Sequence, residues 1–181
     1  MTQTGLRPTP TATTVGTRSH GRFRGDIQML RALAVALVVV YHLVPDVLPG
    51  GFVGVDVFFV VSGFLITSGL VAEARRDGRI SLLRFWSRRA IRLLPAGLAT
   101  LAAVTVVAWF VAPPSQFSAI GRGVAASAAY VQNWLLARDS VDYLAADAAA
   151  TPAQHFWSLS VEEQFYLFWP VLLAGLLALR I

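Results

Sequence analysis

The chain alternates long apolar stretches with short clusters of arginine, aspartate, proline and glycine. From Ile27 to Val44 only Gln28, Arg31, Tyr41 and His42 interrupt the apolar run, and Pro45-Asp46 then Pro49-Gly50-Gly51 close it. Val57–Ala72, Leu93–Gly121, Gly123–Ala137 and Gln164–Leu179 carry no charged side chain. A helix that crosses a bilayer needs about 20 mostly apolar residues, whereas a helix on a soluble core keeps a polar face. The pattern predicts an all-α integral membrane protein, a polytopic helix bundle with segments at 27–44, 53–72, 91–112, 120–137 and 160–180. The second segment opens on Gly51, Gly54 and Asp56 and is a candidate for a partly re-entrant course. Residues 1–25, rich in Thr, Pro, Gly and Arg, read as a disordered basic tail. A signal peptide is a poor account of the first segment, because no small-x-small cleavage site follows it.

Composition strengthens this reading. Of 181 residues 56% are hydrophobic and only 14% charged, with mean hydropathy +0.61 and no cysteine, against roughly 25% charged in soluble domains. Disorder throughout, a disulfide scaffold and a nucleic-acid module are thereby disfavoured, despite the net charge of +5. Every basic residue is arginine, and thirteen of the fifteen precede or open the first segment, separate the second from the third, or follow the fifth. Only Arg122 and Arg138 fall elsewhere, in company with Asp46, Asp139, Asp142 and Asp147. Arginine gathers on cytoplasmic loops, so the tail is expected in the cytoplasm and the 138–156 loop outside.

Ionisable groups inside such segments are functional candidates. His42 follows Arg31 by eleven residues, which places both on one helix face with a rise of roughly 16 Å between them. Imidazole suits general acid or base work near neutrality; hydrogen bonding at an interface is the plain alternative. In the block from His155 to Trp169, Ser160 and Glu163 fit a capping box, leaving Glu162 freer to orient His42 or take a proton, with Ser158 one turn away as its partner. Arg84, Arg88 and Arg92 recur every four residues and are expected to form a stripe that grips a phosphorylated ligand, or else contacts lipid headgroups. Asp56 either faces a water-filled cavity or marks the interface. No ligand spacing supports a metal site built from His42, His155 and the glutamates.

Four blocks in order, Arg31-x10-His42, GGFVGVDVFFVVSGFLI at 50–66, Arg88-x3-Arg92 running into LLPA, and HFWSLSVEEQFYLFWP at 155–170, closely resemble membrane acyltransferase family 3. These bacterial O-acyltransferases modify cell-surface polysaccharides, lipopolysaccharide, peptidoglycan and some secreted small molecules. The resemblance implies that His42 is catalytic, that Glu162 and Glu163 act with it, and that Arg31, Arg88 and Arg92 serve an acyl-coenzyme A donor. Arg84, Ser158 and Asp56 join them as candidate binding residues. It further implies an acyl, by default acetyl, group carried from cytoplasmic acyl-coenzyme A to a hydroxyl of a surface glycan or other exported acceptor. No permanently bound cofactor, metal or nucleic acid is expected; membrane lipid is the other partner, and the bacterial inner membrane the location. Family members have roughly ten membrane helices and many add an outer esterase-like domain. Residues 26–181 are thus expected to be the N-terminal half of the transmembrane domain, about five segments of roughly ten, and inactive or unstable alone. The competing reading is a transporter-like or scaffold half-bundle in which Asp56, His42 and Glu162 line a polar path.

Overall fold

The computed structural model describes residues 24–141 and 151–179; the tail at 1–23 lies outside them, as do Asp142 and Asp147. Within these residues the protein is helical, with no strand. The helices are α1 (Gly25–Leu43), α2 (Val53–Asp77), α3 (Leu82–Val111), α4 (Phe117–Ala128), α5 (Gln132–Val141) and α6 (Phe156–Ala178), with a 3-10 turn at Pro114–Gln116. Of these, α1, α2, α3 and α6 are long and apolar enough to cross a membrane.

Each boundary has a local cause. Asp26 sits in the first turn of α1, where a carboxylate offsets the exposed N–H groups, and its side chain pairs with Arg24 at 2.7 Å. Gly78, at φ 68°, ends α2 in the left-handed conformation that glycine adopts without steric cost, and its N–H returns to Ala74 O. The buried Glu73 carboxylate accepts the Ser81 N–H at 3.0 Å, which fixes the entry to α3.

Close approach of α1 and α2 depends on glycine. A Cβ on Gly54 would collide with Ala34 O and Val38 Cγ2, and one on Gly51 would lie 2.7 Å from Tyr41 Cβ. Helix α2 is one continuous helix of 25 residues, so the re-entrant course considered for it does not occur. On its other side it packs against α6. Ile66 and Leu70 meet Tyr166 in the core, flanked by Phe85, Trp169 and Leu173, and Trp169 Nε1 donates to Thr67 Oγ1 at 2.8 Å.

Proline inside α6 makes a further tie. Pro170 has no N–H for the carbonyl four residues earlier, which belongs to Tyr166. Trp86 of α3 fills the gap, its Nε1 donating to Tyr166 O at 3.1 Å.

The segment expected at 120–137 is not a spanning helix. It is split into α4, of 12 residues, and α5, of 10, roughly 18 and 15 Å long against a hydrocarbon core of about 30 Å. The break is a complete Schellman cap: Tyr130 N–H bonds Ser127 O at 3.1 Å and Val131 N–H bonds Ala126 O at 2.8 Å. Tyr130 stands at φ 55°, where glycine is usual. Gln164 of α6 holds this turn, donating to Tyr130 O at 2.8 Å and Asn133 Oδ1 at 3.0 Å, and accepting from Trp134 Nε1 at 3.3 Å. Phe117 stacks on Trp109 near the end of α3, while an added Cβ on Gly97 would meet Tyr130 Oη at 3.6 Å near its middle. The pair α4 and α5 therefore dips into the bundle without crossing it, and α6 starts beside His42.

Candidate active site

The bundle has two chemically distinct ends. At the end where α2 stops and α3 begins, Arg31, Arg88, Arg89 and Arg92 line a cavity of about 540 Å³ with Ser62, Glu73, Glu162 and Tyr166. Arg31 comes from α1 and the other three from α3, so residues 57 or more apart in sequence converge. Arg84 does not line this cavity and is exposed. Each four-residue step advances about 40° around a helix, so Arg84 is rotated off the face that holds Arg88 and Arg92, while Arg89 lies on the flank facing α6.

Arg89 is half-buried, and the four-residue spacing gave no sign of it. Its guanidinium carbon lies 3.3 Å from the centre of the Tyr166 ring, and its Nη2 is 3.6 Å from Glu163 Oε1. The Tyr166 hydroxyl donates to Glu162. These two carboxylates, the arginine and the phenol form one network, of which Glu162, Arg89 and Tyr166 line the cavity and Glu163 stands behind Arg89. The capping box is absent, since α6 already begins at Phe156 and Ser160 Oγ turns back to Phe156 O at 2.9 Å. Ser158 Oγ donates to His155 O at 3.4 Å rather than to Glu162.

Beyond Glu162 lies a second void of about 260 Å³, walled by valines of α1, Val55, Phe58 and Phe59 of α2, and Ser158 and Leu159 of α6. Glu162 borders both voids. One is rimmed by guanidinium groups; the other is almost wholly apolar. Val38, on the wall of the second void, accepts a hydrogen bond from His42 Nδ1 at 2.8 Å. A carbonyl only accepts, so Nδ1 carries a proton, and in the neutral ring the lone pair is on Nε2. The histidine is thus oriented by backbone and not by a glutamate, and Glu162 lies seven residues along α6 from His155, roughly 10 Å.

His155, at the start of α6, faces His42 with ring centroids 4.8 Å apart and planes at 71°. Asp56 is exposed and borders neither void. Among the described residues no three His, Asp or Glu side chains gather as a metal ion would require. Several guanidinium groups facing one cavity can hold an anionic group, and the slot beyond it offers mostly apolar walls.

Residues 24–181 match the profile of the family 3 acyltransferase domain. O-acetyltransferase OatA of Staphylococcus aureus is 43% identical over 156 residues, 86% of this chain and 26% of that protein. A putative O-acetyltransferase of S. aureus strain MSSA476 is 42% identical over the same shares. The chain thus spans about a quarter of the length of these curated relatives. No solved structure matches it. With its four long apolar helices, the ordered arginine and histidine motifs and a match across nearly all of its length, the chain is a multi-pass membrane protein that belongs to acyltransferase family 3.

Proposed function

We propose that the protein is part of a membrane O-acyltransferase that moves an acyl group, acetyl by preference, from acyl-coenzyme A in the cytoplasm to a hydroxyl of a cell-surface glycan. The observation that carries this reading is the succession of a four-arginine cavity, an apolar slot and a histidine with a free Nε2, with Glu162 bordering both voids. The resemblance to proteins named O-acetyltransferases supports acetyl as the group transferred.

Coenzyme A phosphates bind Arg31, Arg88, Arg89 and Arg92 through charge-assisted hydrogen bonds. The pantetheine arm passes Glu162 and Tyr166 into the slot, over a distance like the roughly 16 Å rise from Arg31 to His42. His42 Nε2 takes the acceptor's proton as the acyl–oxygen bond forms, and Val38 O holds the ring in the tautomer this requires. Glu163 balances Arg89. Arginine asymmetry supports an arginine-rich end in the cytoplasm and a histidine end outside, in the inner membrane of a bacterial cell.

The test uses membranes carrying the full-length protein and labelled acetyl-coenzyme A, with envelope glycan stripped of its esters by mild base as acceptor. Transfer should occur with the unmutated protein and fall about 10²- to 10⁴-fold in His42→Ala. Undiminished transfer in the variant would remove His42 from the chemistry, and no transfer by the unmutated protein would remove the function.

A further inference from the structure

The imidazole facing His42 has no part in the donor path. His155 lies in the turn immediately before α6, away from the helix that carries His42, and its ring makes no hydrogen bond to the cap of α6. It is exposed, as is His42. Both stand beyond the slot, on the side away from the arginine cavity.

Their spacing has a chemical meaning. An oxygen about 2.8 Å from a ring nitrogen lies roughly 4 Å from that ring's centroid. Two rings with centroids 4.8 Å apart leave a position within that reach of both. With its Nδ1–H committed to Val38 O, the neutral His42 ring has its lone pair on Nε2. A hydroxyl needs two partners at such a position: an acceptor for its proton, and a donor to the oxygen lone pair not forming the new bond. One neutral imidazole supplies the first and a second imidazole, through its ring N–H, supplies the second.

We infer that His155 binds the acceptor hydroxyl, with His42 and His155 forming a two-imidazole cradle for an alcohol at the outer mouth of the slot. This rests on the acyl-transfer reading above. The acceptor oxygen bonds the acyl carbon while its proton passes to His42 Nε2. The carbon–sulfur bond breaks, and the same proton leaves on the coenzyme A sulfur. His155 keeps its own proton throughout and holds the oxygen in line. Its chemistry selects a free hydroxyl over an ether or an already acylated position, since only a hydroxyl satisfies both rings.

The rings also pack edge to face, and a purely packing role is separable from the one inferred. In the same membrane assay with ester-stripped envelope glycan, His155→Phe keeps an aromatic edge but has no N–H, and His155→Gln has an N–H but no ring. Loss of one neutral hydrogen bond predicts that His155→Phe raises the apparent KM for glycan about 3- to 10-fold, with the acetyl-coenzyme A KM unchanged. His155→Gln should recover most of that loss. If His155→Phe fails to accumulate in membranes, His155→Leu replaces it as the variant without a donor. A glycan KM in Phe or Leu equal to that of the unmutated protein, or no recovery in Gln, overturns the cradle. Either result leaves transfer by the unmutated protein intact, whereas absence of that transfer is a failure of the acyl-transfer reading itself.

Discussion

The arginine cavity and the histidine mouth are built on opposite plans. At the cavity, four guanidinium groups meet two carboxylates and a phenol, and Arg89 is held from two sides, by the Tyr166 ring and by Glu163. At the mouth there are two imidazoles and one backbone hydrogen bond. The first arrangement suits binding of a highly charged group, and the second leaves His42 Nε2 unencumbered. Energy gained on a remote part of a substrate lowers a barrier elsewhere only if the two are rigidly connected. Here the connection is α6, which carries Glu162, Glu163 and Tyr166 and is preceded immediately by His155.

Substitutions can test how separate the two ends are. The loss expected in His42→Ala should fall on kcat and leave the donor KM alone. The next largest effect is expected from Arg88→Ala combined with Arg92→Ala: a donor KM raised about 10- to 100-fold, from charge-assisted bonds worth ~1.5–3 kcal/mol each before screening by water. A glycan KM that moved equally would show that the ends are not independent. Glu162→Gln probes the boundary between them. It should raise the donor KM about 3- to 10-fold and change kcat less; a kcat loss as deep as that of His42→Ala would assign Glu162 to the mouth. The smallest effect on kinetics is expected from Gln164→Ala, which releases the α4–α5 turn from α6. It should lower stability by about 1–3 kcal/mol, read as a lower Tm in detergent, while both KM values stay within about twofold.

The long apolar runs and their glycine and proline boundaries made α1, α2, α3 and α6 legible, because nothing but a membrane helix tolerates such composition. The fourth segment misled because residues 123–137 carry no charged side chain, and the break is made by tyrosine at a position where glycine would have signalled it. The arginines held the correction. Five crossings would leave the residues after α6 opposite the N-terminus, whereas four crossings and a hairpin return α6 to the arginine-rich end, where Leu173 packs near Ile80. At the site, Arg31, Arg88 and Arg92 were visible from spacing and motif, and the structure brings them together. Arg89, Tyr166 and the facing of His42 by His155 were not visible. Each depends on how α3 or α1 is rotated against α6, which local periodicity does not fix.

Trp86 and Pro170, linked in space through one carbonyl, are expected to be linked in descent as well. Proline frees the Tyr166 carbonyl and tryptophan occupies it, so neither position drifts alone without a penalty. A lineage that loses the indole leaves a buried acceptor stranded, and one that replaces the proline supplies an intrahelical N–H that competes with it. Across descendants of this chain the two positions, 84 residues apart, are expected to change together or not at all.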